Sequence, residues 1–570
     1  MMMSPTVRGA VLCACLLWSC AAIAAGGVQV KAGKTMQSDK RPDAVPAHLE
    51  MTIEHPYLHL PVKNGGPKCR MRFAAGDETL REFEIELAGA EPDFWVFSDV
   101  SALKGRRITI HVGSLPEGSK GLGAIVQADA VPAAANQMYR EKLRPQFHFS
   151  SRRGWNNDPN GLVYHAGEYH LYYQHNPYGW KWGNMHWGHA VSTDLVHWKE
   201  LPVAIYPHKF GDWAFSGSAA VDADNTAGFK KGREDVIVAA YTSTGRGECI
   251  AYSNDRGRTF IDFEGNPVVK HGGRDPKIIW YAPGKHWVMA VFDESKENGA
   301  NVAFYTSKDL KEWEVQSHLK GYFECPEIFE LPVDGDENNT RWVVFAADAR
   351  YAIGKFDGKI FTPAHEGKHR VHYGSYYASQ TFSNPPDGRR IQIGWAQLAM
   401  PGMPFNQAFT FPHRLTLRTT PDGIRMFAEP IKEIAKLRKT THTVGSADLA
   451  PDAPKTVATS GELFEIRAEF AVGQAKAVGL DIGGNRVTFD VASSKLNGAD
   501  MKPVAGKVTM QVIVDRPMIE ICGNDGAVYI TSGRGKRGDV SAIKAFGEGG
   551  SAKLLDLKVH ELNSIWRDVP

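Results

Sequence analysis

Five apolar strand cores recur through the middle of the chain. They are His170-Leu171-Tyr172-Tyr173, Val236-Ile237-Val238-Ala239-Ala240, Trp287-Val288-Met289-Ala290-Val291, Trp342-Val343-Val344-Phe345 and Ile391-Gln392-Ile393-Gly394-Trp395. Their starts lie about 50 to 66 residues apart, the period of successive propeller blades. A second element keeps step with them. Ser192-Thr193-Asp194-Leu195-Val196-His197-Trp198 is matched by Ser307-Lys308-Asp309-Leu310-Lys311-Glu312-Trp313, and more faintly by the segment Ser253 to Phe260. Five recurrences predict an all-β fold with a five-bladed β-propeller over 146–428, whose central channel collects residues from every blade. One or two long sandwiches are the competing reading of the same periodicity.

The flanks alternate with a period of two but do not repeat. Phe83-Glu84-Ile85-Glu86-Leu87 and Ile108-Thr109-Ile110-His111-Val112 predict a small β-sandwich-like domain over 47–130. Phe464 to Phe470 and Val508 to Val514 predict a second sandwich over 440–565. A linker is expected at 131–145. Residues 429–439, EPIKEIAKLRK, place Ile431, Ile434 and Leu437 on one face and predict a connecting helix.

Arg8, the apolar run Ala10 to Ala24 and Ala22-Ile23-Ala24 read as a signal peptide over 1–24, followed by a flexible leader over 25–46. The expected location is periplasmic or extracellular. Leu17-Trp18-Ser19-Cys20 leaves a lipid anchor at Cys20, and so a membrane-anchored lipoprotein, as the alternative. No later stretch is long and apolar enough for a transmembrane segment. Lys and Arg total 66 against 64 for Asp and Glu, so the overall charge does not point to nucleic acid as a partner. Cys69, Cys249, Cys325 and Cys522 are far apart and lack metal-ligand spacing, so no metal or other cofactor is expected. Nothing in the sequence sets an oligomeric state.

Three acids stand in constrained settings. Asp158 lies in Trp155-Asn156-Asn157-Asp158-Pro159-Asn160-Gly161, where Pro159 disfavours helix at the acid and Asn160-Gly161 is expected to turn the chain back. Asp275 lies in Arg274-Asp275-Pro276, and Glu324 in Phe323-Glu324-Cys325-Pro326. Taken singly, each also fits a turn acid or a salt-bridge partner. At similar places in different blades, all three would converge on one end of the channel.

These motifs, in this order and spacing, resemble glycoside hydrolase family 32, the β-fructofuranosidases that include levanases, inulinases and fructan exohydrolases. Asp515 to Gly526 is similar to that family's C-terminal motif. The resemblance implies a retaining mechanism with Asp158 as nucleophile, Glu324 as general acid/base and Asp275 as transition-state stabiliser. It also implies substrate contacts from Asn157, Gln174, Trp182, Phe215, Ser216, Arg274 and Trp395. The implied activity is removal of terminal β-D-fructofuranosyl units from a fructan or fructo-oligosaccharide, levan or inulin, with sucrose as a further substrate. Endo-levanase, fructosyltransferase and a catalytically silent fructan-binding protein are the alternatives. The chain departs from the family pattern at His372-Tyr373-Gly374-Ser375-Tyr376-Tyr377-Ala378 and Pro412-His413-Arg414-Leu415, so linkage and exo versus endo action stay open.

Overall fold

The computed structural model describes residues 44–131, 138–451 and 453–566. The signal segment with Cys20, the leader as far as residue 43, and 132–137 of the linker lie outside the described residues. The expected leader ends early, because strand Ala44–Thr52 starts within it. Among the described residues regular structure is almost all strand, as expected of an all-β chain, and no helix is long and apolar enough to cross a membrane.

The first strands form two sheets. One orders Ala44–Thr52, Arg107–Pro116, Cys69–Ala75 and Glu78–Ile85; the other orders Phe94–Asp99, Tyr57–Val62 and Val126–Ala128. Alternation explains their packing: Ile108, Ile110 and Val112 point inward with Leu58, Leu60, Met71 and Phe73 into one core. Tyr178, from the next region, belongs to that core and stacks on Phe83 at 3.5 Å between ring centroids. The expected linker is also anchored where it is described. Tyr139 stacks on Trp566, and Arg144, fully buried, lies over Phe405 and bonds Glu141 and the Ser151 carbonyl.

Three successive antiparallel meanders follow. Strands Gly154–His165, Glu168–Asn176, His186–Ser192 and Lys199–Ile205 make the first, with Phe405–Asn406 added at its edge. Ala214–Asp222 to Ile261–Asp262 make the second, and Arg274–Tyr281 to Glu314–Lys320 the third. Glu327–Val333 to Phe361–Pro363 form a fourth meander. It joins Tyr376–Thr381, Arg390–Ala396, His413–Thr420 and Gly423–Pro430 in a ten-stranded sheet through one parallel pairing, Val333 to Leu417.

The first strands of these groups bond to one another side by side. Gln380 accepts from the Leu162 amide and donates to the Gly217 carbonyl, each at 2.9 Å. Ser218 links to Pro276 and Ile278. Lys277, 2% exposed, pairs with Glu327 at 2.9 Å, and Glu327 accepts from the Thr381 amide and hydroxyl. Buried charges need such full pairing to be tolerated.

The connecting helix over 429–439 is corrected by the structure. Glu429 and Pro430 finish strand Gly423–Pro430, and only Lys432–Leu437 is helical, as a 3₁₀ segment. Three turns' worth of α-helix cannot form where Ile431 must stay extended and Arg438 begins the next strand. Beyond it an eight-stranded and a six-stranded sheet share one core, with Phe464, Ile466, Val512 and Leu554 from the first facing Val478, Leu480, Phe489 and Ile543 from the second.

Candidate active site

Asp158 and Asp275 sit on the first strands of two different sheets, and Glu324 lies in the bend just before Glu327–Val333, the first strand of the fourth meander. Asp158 lies within strand Gly154–His165, so Asn160-Gly161 does not turn the chain back as expected; the strand runs on past two breaks in register, at Asn156/Pro159 and Asn160/Val163. Similar breaks occur at Ala214/Gly217, Arg274/Lys277 and Tyr377/Gln380. A bulge re-aims side chains and is common beside active sites. Here one falls on each strand that delivers Asp158, Ser216, Asp275 and Tyr377.

The backbone around the site is held in unfavourable conformations. Asp275, Glu324, Cys325, Ala378 and Gln407 all have left-handed φ, from 41° to 74°. Such residues cost about 1–3 kcal/mol each and persist only where surrounding contacts enforce them. Gly217 is required for a different reason: a Cβ there would lie 2.0 Å from the Ala240 carbonyl oxygen.

Asp158 accepts from the Ser216 hydroxyl at 2.6 Å and from the Asn157 amide at 3.0 Å. Burial pushes its carboxyl above the usual range, the Ser216 and Asn157 hydrogen bonds oppose this, and the charge of Glu324 adds to the rise. Asp275, 6% exposed, accepts from the Cys325 backbone amide at 3.1 Å. Burial drives its carboxyl up to about 7, despite the nearby Arg274 guanidinium at 3.8 Å. The Cys325 thiol lies between the two aspartates, 3.7 Å from Asp158 and 3.6 Å from Asp275. Glu324 directly precedes it, ion-paired to Arg274 and accepting from the Tyr377 hydroxyl at 2.7 Å.

The expected contact residues gather at the same place, and the structure shows their partners within the protein. Asn157 accepts from Trp155 Nε1 at 2.8 Å and donates to Asp158, so its amide serves the acid. Gln174 is 2% exposed and donates to the Ala214 carbonyl behind Phe215, so it braces the wall. Trp182 is 36% exposed and meets Phe215 edge to face at 5.9 Å. Trp395 meets Trp155 and Tyr377 edge to face, and its indole N–H donates to Gln407. Arg274 spends its guanidinium chiefly on Glu324, beneath the exposed ring of Phe323.

Trp155, Tyr377, Cys325 and Gln407 were not singled out from the sequence. Trp155 and Cys325 lie inside the motifs already noticed; Tyr377 lies in the segment that departs from the family pattern. The loop carrying Trp182 is clamped from the N-terminal sheets. Asn184 exchanges two hydrogen bonds with the Glu84 backbone, at 2.9 and 2.8 Å, and Lys181 reaches Glu86 at 3.7 Å.

Comparison with known proteins decides the family. The model described as "Glycosyl hydrolases family 32 N-terminal domain" matches residues 148–430, and "Glycosyl hydrolases family 32 C terminal" matches 433–561. The chain belongs to glycoside hydrolase family 32. It is a glycosidase by that membership. This family 32 chain is 37% identical over 512 residues to a levanase of Bacillus subtilis (strain 168), covering 78% of the chain and 74% of the relative. It is 28% identical over 520 residues to the extracellular exo-inulinase of Aspergillus niger, covering 75% and 96%. The crystal structure of exo-inulinase from Aspergillus awamori matches with TM-score 0.68 and 26% identity, over 75% of this chain and all of that one. The family models leave the N-terminal sheets of this family 32 enzyme unmatched.

Proposed function

We propose that the chain is a retaining β-fructosidase that releases fructose from the ends of levan or inulin chains and also accepts sucrose. The observation that carries this is the meeting of three carboxyls from three sheets around Cys325. Asp158 attacks C2 of the terminal fructosyl unit and forms a covalent intermediate; Glu324 protonates the leaving oxygen and then activates water. Asp275 bonds ring hydroxyls more strongly as the ring flattens towards the oxocarbenium-like transition state. Trp155, Trp182 and Trp395 form an apolar wall, and Tyr377 and Arg274 hold Glu324 in place.

The first strands of five successive groups bond side by side, which supports a five-bladed propeller over 146–428, flanked by N- and C-terminal sandwiches. Arg8, the apolar run and Ala22-Ile23-Ala24 support export, with anchoring at Cys20 as the alternative. Purified protein incubated separately with levan, inulin and sucrose, and followed by chromatography, tests the activity. Fructose alone from a polymer supports exo action and identifies the linkage. Oligosaccharides would mean endo cleavage, and no product from any of the three would sink the fructosidase reading.

Ser216→Ala removes a hydrogen bond that favours ionised Asp158, so the nucleophile protonates at higher pH. The acidic limb of the kcat/KM profile should move to higher pH, with a loss of about 10-fold near the optimum. Asn184→Ala should loosen the Trp182 loop, raising KM for oligosaccharides several-fold with kcat held within about twofold, a loss confined to binding. Steady-state kinetics on both variants checks these outcomes.

A further inference from the structure

Strand Glu168–Asn176 presents two faces. Gln174 braces the wall of the acid pocket, while Tyr173 and His175, by the two-residue period, lie on the other face. There they line a second cavity of about 300 Å³, closed on its far side by strand Phe94–Asp99 of the N-terminal sheets. One sheet separates the two pockets.

Several polar groups of this cavity have hydrogen-bonding capacity to spare. Tyr173 is fully buried, yet its hydroxyl makes no hydrogen bond among the described residues. His175, 5% exposed, gives Nδ1 to the Trp155 carbonyl at 2.7 Å and has no partner for Nε2 among the described residues. Arg152 approaches Glu200 through Nε at 3.3 Å, and its two terminal amino groups have no hydrogen bond among the described residues. Arg152 Nε and Ser98 Oγ are buried without a hydrogen bond among the described residues, and the other groups open onto the cavity, so one polar occupant would satisfy them together. Arg152 is offset by Glu200 and Arg153 by Glu141, while Lys199 and Asp99 bring one charge of each sign to the lining, a balance that favours a neutral occupant over a phosphate or a carboxylate. The Phe97 ring, with the Arg152 guanidinium 5.0 Å from its centroid, and Tyr206 supply apolar surface beside these groups. Hydroxyl donors and acceptors flanked by aromatic rings are the chemistry that binds a sugar.

We propose that this seam cavity is a second, non-catalytic binding site for a neutral sugar, and that its ligand is a fructosyl unit of the same polymer. The identity of the sugar rests on the fructosidase reading; the preference for a neutral, hydroxyl-rich ligand does not. Such a site holds the chain to its substrate between cleavage events without touching the bond that breaks.

The test is calorimetric titration of the full chain carrying Asp158→Asn with 1-kestose. Two sites per chain are expected. Adding Arg152→Leu from one wall, or Phe97→Ala from the other, should weaken the second site at least about tenfold. In the active background the same two substitutions should leave kcat/KM on sucrose within about twofold. A single site in all three proteins overturns the proposal, as do two sites that neither substitution weakens. Fructose release by the unmodified chain is followed in parallel. Absent turnover together with a surviving Arg152-dependent site would sink the fructosidase reading and leave the cavity as a sugar site.

Discussion

Asp158→Asn is expected to lower kcat on levan, inulin and sucrose alike by about 10,000-fold or more, the scale seen when a nucleophile is removed from a working constellation. The amide is isosteric with the carboxyl, and Asn157 and Ser216 remain to hold it, so the pocket keeps its shape. Burial already raises the Asp158 pKa, so the ionised form is disfavoured in the folded protein. Removing that charge therefore costs no stability, and the melting temperature should stay level or rise. A thermal melt beside the kinetic assay separates lost chemistry from lost folding. Comparable losses on all three substrates, with binding retained, are the expected pattern.

The largest effect on stability is expected at Asp515. Its carboxylate, fully buried, accepts from the backbone amides of Gln146, Phe147 and His148 and from His148 Nδ1 at 2.8 Å. Glu520 stands 3.5 Å from the other nitrogen of the same ring. Burial lowers the His148 pKa, but the hydrogen bonds and charges of Asp515 and Glu520 outweigh it and lift the ring to about 9. Burial likewise raises Asp515, and His148 and the amides outweigh it, so its carboxyl falls below the usual range.

Asp515→Ala would strand a buried imidazolium and three amides, at a cost of about 3–5 kcal/mol. The pH dependence follows from the two directions. The His148 contribution is complete below its unfolded value near 6.5 and is lost as pH rises through about 9. The Asp515 contribution is complete above its unfolded value near 3.8 and is lost as pH falls through its lowered folded value. Denaturant melts of unmodified protein should therefore show this clamp strongest between about pH 4 and 6.5, and the Asp515→Ala protein should lack that component.

The all-β fold was legible because alternation and a recurring strand core are local patterns. Asp158, Asp275 and Glu324 were legible because proline and aromatic neighbours mark them within a few residues. What stayed hidden depends on three-dimensional neighbours. The bulges that re-aim Asp158 and Asp275 depend on partner strands distant in sequence. Tyr377 bonds Glu324 across 53 residues, and no local signal announces the pairing. Asn157 and Gln174 were expected to face substrate. Their amides also bond Asp158 and the Ala214 carbonyl, partners that only the packed strands show. The helix at 429–439 misled because Ile431, Ile434 and Leu437 fit an α-helical stripe and also bury well in one 3₁₀ segment between strands.

The most direct measurement is mass-spectrometric mapping of a covalent intermediate. A Glu324→Gln variant, which cannot activate water for the second step, is mixed with a fructosyl substrate carrying a good leaving group. The protein is then quenched in acid and digested. The account predicts one fructosyl unit on the peptide containing Asp158, absent when Asp158→Asn is added. A fructosyl unit on Asp275 or any other residue, or turnover with inversion at C2 and no labelled peptide, would contradict it.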